Sequence, residues 1–374
     1  MESTNNAKPI VATQTATFYE NSDPLLLECG KTLAPVTVAY ETYGHLNGEG
    51  TNAVLICHAL TANAHAAGYH STSDEAPGWW DGLIGPQRAF DPRKYFVVCP
   101  NILGSCYGTT GPASINPATG VSYRTTFPQF TVRDLIAVQK KLLDRLGVKR
   151  LAAVCGSSLG GMQTLEWGAT YPDFCETIIP ISTAARQSAW CIGLNTAARS
   201  AIMSDPVWNQ GFYEQQPRHG LTTARMIGML SYRSAEELEQ RFGRRRQNFS
   251  LDRFDANNLF EVESYLQYQG EKLGKRFDAN TYIYLSRAMD LHDVTHGRAA
   301  LPEVLGSIKA RTLCIGVSSD LRYPTREQKE IVRFTPNAVY QEIDSIHGHD
   351  AFLIEFDQLN AIIKNFLKER KKQI

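Results

Sequence analysis

Residues 156–160, Gly-Ser-Ser-Leu-Gly, fit the pattern G-x-S-x-G with Ser158 at the centre. A serine hydroxyl is a poor nucleophile until its Oγ stands clear of the backbone and a neighbouring base takes its proton. A tight strand-to-helix turn meets the first condition. It strains the serine backbone and draws neighbouring chain close, so glycine is needed on both sides. Ser157 fails this register, because positions 155 and 159 are Cys and Leu. The competing reading is a Gly/Ser turn with a buried hydroxyl. The surroundings favour the nucleophile: an apolar run at 151–155 precedes the motif, and helix-compatible residues 162–167 follow it up to a break at Pro172.

The base must in turn be oriented by a third group. Asp320 and His349 come after Ser158 in the order acid then base, which is the order this kind of elbow uses. Asp320 directly follows an apolar run at 312–317, and His349 follows an alternating run at 338–343. Alone, each would pass as a turn or packing residue; at the ends of successive strands they make a Ser158–His349–Asp320 triad the better reading. His347 competes with His349, and periodicity does not separate them. A metal site on His347, His349 and Asp350 lacks a further strong ligand cluster, so no metal is expected. Acyl chemistry on serine also needs two backbone N–H groups for the oxyanion. Leu159 supplies one, and Leu60, in the loop after the run 52–57, is chosen for the other.

These residues need a scaffold, and the apolar runs describe one. Residues 52–57 and 95–99 are continuous, as strands covered on both faces would be, while 35–40 alternates as a half-exposed strand does. The Gly/Pro/Ser/Thr-rich stretch 100–130 reads as a long functional loop. A helix follows, capped by Thr131 with Asp134 three residues on, with Leu135, Val138, Leu142, Leu143 and Leu146 on one face and Gly147 at its end. Another strand is expected at 176–181. Strands alternating with helices imply an α/β fold: a mostly parallel central sheet with helices on both faces. Residues 1–15 read as a loose polar arm. Residues 186–300 change character to helix-like patterns, such as 236–241 and 277–289, and are taken as a helical lid inserted into a core of 1–185 and 301–374. A last helix from about Gln358 buries Leu359, Ile362, Ile363, Phe366 and Leu367, with a cationic cluster at its end.

Composition narrows the function classes. The 374 residues are 43% hydrophobic and 20% charged, as in an ordinary globular protein. Lys+Arg and Asp+Glu balance at 38 each, so no global field draws nucleic acid or an anionic membrane. No cationic, apolar leader opens the chain, and no run is long enough to span a bilayer. Eight cysteines are scattered without a C-x-x-C pair, which points away from disulfides and zinc and towards a reducing cytoplasm.

Longer segments carry a resemblance: AYETYGHLN (39–47), ICHALTANAHAAGYH (56–70), PGWWDGLIGP (77–86), GSCYGTTGPASINPATG (104–120), GSSLGGMQTLEW (156–167), GLTTARMIGMLSYRS (220–234), RFDANTYIYLSRAMD (276–290) and GHDAFL (348–353). Over nearly the whole chain the pattern resembles the homoserine O-acetyltransferase family of methionine biosynthesis, a branch of the α/β-hydrolase superfamily. That resemblance implies a ping-pong reaction in which Ser158 takes the acetyl group of acetyl-CoA and passes it to the hydroxyl of L-homoserine. It implies His349 as the base, Arg225 and Tyr232 as partners of the homoserine carboxylate, and Asp350 as partner of its amine. It also implies no bound cofactor and a homodimer joined through the lid. The chain departs from the family pattern at Ala62-Asn63, Gln87 and Ser105, in loops that also vary in relatives using succinyl-CoA. O-succinyl transfer to homoserine or serine is therefore kept as an alternative, and so is a serine esterase or thioesterase with the same triad. The basic stretch 241–246 (RFGRRR) is read as a solvated loop, with the CoA phosphates as its lesser reading.

Overall fold

In the computed structural model, which describes residues 8–249 and 252–369, the apolar runs form the interior of one eight-stranded sheet. Its strands are β1 (Gln14–Phe18), β4 (Val36–Tyr43), β5 (Ala53–Cys57), β6 (Phe96–Pro100), β7 (Leu151–Ser157), β8 (Thr177–Ile181), β9 (Arg311–Val317) and β10 (Ala338–Ile343). A separate short hairpin pairs β2 (Leu25–Leu26) with β3 (Thr32–Leu33). The sheet order is β1-β4-β6-β5-β7-β8-β9-β10. From β6 to β10 every pairing is parallel, whereas β4 runs antiparallel to both β1 and β6.

The helices are α1 (Val132–Arg145), α2 (Leu159–Thr170), α3 (Ala189–Met203), α4 (Arg218–Tyr232), α5 (Ala235–Arg241), α6 (Glu261–Gly274), α7 (Ala279–Asp290), α8 (Leu301–Gly306), α9 (Thr325–Phe334) and α10 (Phe356–Glu369). Every residue of β5, β7 and β8 is buried, because helices cover the sheet on both faces. The period of two along a strand divides the core. Leu55 and Cys57 of β5 join Leu135, Met162 and Trp167 on one face, while Val54 and Ile56 join Trp80, Phe90, Leu359 and Ile363 on the other. Helix α1 begins with a reciprocal cap: the Thr131 side chain accepts from the Asp134 N–H, and the Asp134 carboxylate accepts from the Thr131 N–H at 2.8 Å.

Between β8 and β9, helices α3 to α7 occupy the stretch where helix-like patterns are expected, and α4 packs between α3 and α6. The expected loose arm is shorter than composition suggests. Val11 donates to the Tyr69 carbonyl at 2.8 Å, and Gln14 and Thr15 already pair with Tyr40 and Ala39 in β1; residues 1–7 lie outside the described residues. Backbone pairing at a sheet edge asks for no apolar side chain, so such a strand leaves little trace in composition. The last helix starts two residues before Gln358, and the cationic cluster at 370–372 lies outside the described residues. Among the described residues no helix is long and apolar enough to cross a membrane.

Candidate active site

Strand β7 ends and α2 begins at Ser158, whose backbone sits at φ 56°, ψ −121°. A non-glycine residue there costs on the order of 1–3 kcal/mol, so its surroundings must enforce it. They do. The Ser158 N–H donates to Ile181 at 3.0 Å, and its carbonyl accepts from the Met162 N–H at 3.1 Å and the Thr183 hydroxyl at 3.0 Å. A Cβ on Gly160 would stand 1.9 Å from the Cys57 carbonyl, because the first turn of α2 presses on the end of β5. Gly160→Ala is therefore expected to push α2 off β5, lowering stability by roughly 1–3 kcal/mol or more and slowing acylation of Ser158. Thermal unfolding and covalent labelling of Ser158 check this; parental values in both would refute it.

His349 lies in a short 3₁₀ helix, Gly348–Leu353, just beyond β10. Its Nδ1 is 2.8 Å from Asp320 Oδ2, and both side chains are buried. The second oxygen, Asp320 Oδ1, accepts from the N–H groups of Arg322 and Tyr323 at 2.8 and 2.9 Å. Three hydrogen bonds thus hold one carboxylate still, and the imidazole is boxed by the rings of Tyr323 and Phe352 at 5.3 Å each and Tyr232 at 5.9 Å. His347 goes elsewhere: its Nδ1 faces Glu237 Oε1 at 3.3 Å. Gly348, at φ 62°, lets the chain turn between the two histidines while a Cβ there would meet the Tyr232 carbonyl at 2.8 Å.

Ser158 and His349 open into one cavity that is also walled by Leu60, Arg225, Tyr232, Arg322 and Asp350. Leu159 follows Ser158 at the start of α2, and Leu60 lies in the loop beyond β5, so both backbones border the nucleophile. Arg225 stacks on the Tyr232 ring at 5.4 Å. Asp350 pairs with Arg233 at 3.3 Å; burial raises its pKa above the ordinary carboxylate value, against the pull of Arg233 and Arg225. Such an arrangement can carry out nucleophilic acyl chemistry on Ser158 beside the charged side chains of Arg225, Arg322 and Asp350.

Arg322 was not visible as a site residue in the sequence. It is 2% exposed, stacks on Tyr232 at 5.4 Å, and donates to Ser231 Oγ at 3.0 Å and Asn195 Oδ1 at 2.6 Å, while its Nε has no partner. Its only sequence signal is a cation two residues after the acid, where a strand has just ended. The basic stretch 241–246 is occupied structurally: Arg245 pairs with Glu261 at 2.8 Å, and Arg246 donates to the Asn258 carbonyl at 2.8 Å while stacking on Phe260.

The expected absence of a metal cluster at His347, His349 and Asp350 has a counterpart elsewhere. Among the described residues the side chains that meet at ligand distance are Glu41, His65 and His70. The buried Glu41 carboxylate already accepts from His65, His70, Thr13 and Tyr43 at 2.7–2.9 Å. Those bonds hold its pKa down to about 2 despite burial. The cysteines are free thiols, and burial raises the pKa of Cys57, Cys99, Cys155, Cys175 and Cys314, as befits small core residues.

A mostly parallel sheet with a serine elbow after β7, an acid after β9 and a histidine after β10 is the arrangement of an α/β hydrolase, and residues 52–356 match the family model for the alpha/beta hydrolase fold. The resemblance to known proteins extends further. A homoserine O-acetyltransferase of Carboxydothermus hydrogenoformans is 50% identical over 372 residues, covering 97% of each chain. The crystal structure of a homoserine O-acetyltransferase from Bacillus anthracis superposes with a TM-score of 0.89 at 34% identity, covering 96% of this chain and 98% of that one. Esterase E22 superposes with a TM-score of 0.87 at 29% identity, covering 96% of this chain and all (100%) of that one. The chain belongs to the homoserine O-acetyltransferase family.

Proposed function

We propose that this chain transfers an acyl group from acyl-CoA to the hydroxyl of L-homoserine by way of an acyl-Ser158 intermediate, with acetyl-CoA as donor. The observation that carries this reading is that Ser158 and His349 share one cavity with Arg225, Tyr232 and Asp350. A simple esterase has no need of an amino-acid clamp at its nucleophile. His349 Nε2 takes the Ser158 proton as Oγ attacks the thioester carbonyl, and the N–H groups of Leu60 and Leu159 receive the oxyanion. Collapse expels the CoA thiolate, which takes the proton from His349. Homoserine then binds with its carboxylate on Arg225 and Tyr232 and its ammonium on Asp350. Its hydroxyl gives a proton to His349 as it attacks the acyl-serine; the acyl–Oγ bond breaks, Ser158 Oγ takes that proton from His349, and homoserine leaves as its O-acyl ester. Asp320 holds the imidazolium that forms at each stage. The eight free thiols fit a reducing cytoplasm. The helices between β8 and β9 act as the lid over the cavity in this reading, and exposed Trp190 and Leu230 on them suit a homodimer face.

One observation favours a second donor. Arg225 and Arg322 each lie 5.4 Å from the centre of the Tyr232 ring, and the side-chain partners of Arg322 are the neutral Ser231 and Asn195. A buried cation without an anionic partner is costly, and the single carboxylate of homoserine answers one guanidinium. A succinyl chain would bring a second carboxylate. The test presents acetyl-CoA or succinyl-CoA with homoserine, serine or no acceptor, and follows release of the CoA thiol. Equal release without acceptor would favour the hydrolase and overturn the transfer. Under the succinyl reading Arg322→Leu should shift the donor ratio towards acetyl-CoA by about 10- to 100-fold, the weight of one charge-assisted pair. A parental enzyme that prefers acetyl-CoA, with a ratio unmoved by Arg322→Leu, leaves the acetyl reading standing.

A further inference from the structure

Resting on the Proposed function for Leu60 and Leu159, we propose that His58 and Thr183 are positioning residues that aim these two oxyanion donors from behind. In a trans peptide the C=O of one residue and the N–H of the next point in opposite directions. The only cis peptide among the described residues is Ala34–Pro35, so both donor peptides are trans. The Leu60 N–H shares its peptide with the Ala59 carbonyl, and the Leu159 N–H shares its peptide with the Ser158 carbonyl. Each of those carbonyls is held by a side chain with no solvent exposure. His58 Nδ1 is 2.8 Å from the Ala59 carbonyl, and the Thr183 hydroxyl donates to the Ser158 carbonyl at 3.0 Å. Pulling a carbonyl into the core turns its N–H outward, to the side where Ser158 and the cavity lie.

The direction of the His58 bond is dictated by its other nitrogen. The Ile102 backbone N–H donates to Nε2 at 3.1 Å, so Nε2 must present a lone pair and Nδ1 must carry the proton. Burial keeps this imidazole neutral by pushing it down to about 4, so the tautomer holds through the working pH range. A hydrogen bond to the carbonyl also polarises the peptide and makes its N–H a better donor. The amide of Gln163 braces the same pair of segments, donating to the His58 carbonyl at 3.2 Å and the Leu159 carbonyl at 3.1 Å. His58 and Thr183 thus hold the two donor peptides themselves, and Gln163 holds the peptide next to each.

The experiment uses substitutions that keep or remove one hydrogen bond. Asn at position 58 places an N–H where Nδ1 was, while Gln places an acceptor where Nε2 was. His58→Gln and Thr183→Val lose the carbonyl donor; His58→Asn and Thr183→Ser keep it. The readout is the burst of nitrophenol from p-nitrophenyl acetate on the full chain, which needs Ser158 and the oxyanion donors but neither CoA nor homoserine. The burst rate should fall on the order of 10- to 100-fold in His58→Gln and Thr183→Val, less than the 10²–10³ of deleting a donor. It should return to within a few-fold of the parent in His58→Asn and Thr183→Ser. Affinity for a boronic acid that forms a tetrahedral adduct on Ser158 should fall in step with the rate, while the homoserine KM stays put. Parental bursts in both donor-deleted variants would overturn the proposal, as would His58→Asn and Thr183→Ser being as slow as their partners. Should His58→Gln fail to fold, the one-atom contrast of Thr183→Val with Thr183→Ser decides for that donor and His58→Asn against the parent decides for the other. A parental chain that bursts normally yet releases no CoA thiol would refute the transferase reading and leave the two positioning roles intact.

Discussion

Replacing Ser158 by alanine is expected to lower acyl transfer on the order of 10⁶-fold while the protein stays folded. Residue 158 keeps a Cβ either way, so alanine meets the same backbone strain at φ 56°, and its backbone still donates to Ile181 and accepts from Met162 and Thr183. What disappears is the oxygen that carries the acyl group in the proposed transfer. His349 would remain bonded to Asp320, and Arg225, Tyr232 and Asp350 would still line the cavity, so substrate affinity should change little. Two measurements read this directly. Intact-protein mass after mixing with acyl-CoA alone should show an added acyl group in the parent and none in the variant. Thiol release with homoserine present should fall to the background of uncatalysed exchange. Substantial transfer by Ser158→Ala would end the covalent route and leave direct transfer between the two substrates.

The second large effect is expected at Asp320, where asparagine should cost on the order of 10⁴ in kcat with the homoserine KM nearly unchanged. The geometry gives the reason. Oδ1 of Asp320 accepts two backbone N–H groups, from Arg322 and Tyr323, so the amide oxygen of an asparagine must take that place. Its NH₂ group then faces His349 Nδ1 at the site where a carboxylate oxygen stands 2.8 Å away. Two donors cannot share that bond, so Nδ1 must give up its proton and the ring must protonate Nε2. An imidazole with a proton on Nε2 cannot take the proton of Ser158. The cost arises from the wrong tautomer rather than from lost packing. Steady-state kcat and KM, together with the ring proton of His349 observed by NMR, distinguish this from general damage. A kcat within tenfold of the parent would show that another group orients the histidine.

Ser158 was legible in the sequence because its constraint is local. The glycines, the strand before and the helix after all lie within twenty residues, and each answers to a propensity or a close approach that belongs to one turn. The buried strands were legible for the same reason: β5, β7 and β8 carry continuous apolar residues because both of their faces are covered. The edge strand β1 was not, since it pairs through its backbone and only Ala16 and Phe18 are partly buried against the core. His347 and His349 could not be told apart by spacing, because a 3₁₀ turn and a left-handed Gly348 separate them in directions that no period of two or 3.6 describes.

What the chain itself determined was the order of the candidate residues along it: Ser158 after one strand, Asp320 after another, His349 after the last, each with a turn to present it. Only the tertiary structure decided which groups face one another. It brought His349 rather than His347 to Asp320, set Arg225 and Arg322 against the Tyr232 ring, and buried Arg322 beside neutral partners. It also set His58 and Thr183 behind the two peptides that flank Ser158. The division follows from range. Hydrophobic period and turn chemistry act between neighbours in sequence, whereas a charge, a tautomer or a peptide plane is set by whatever the fold packs within about 3 Å of it.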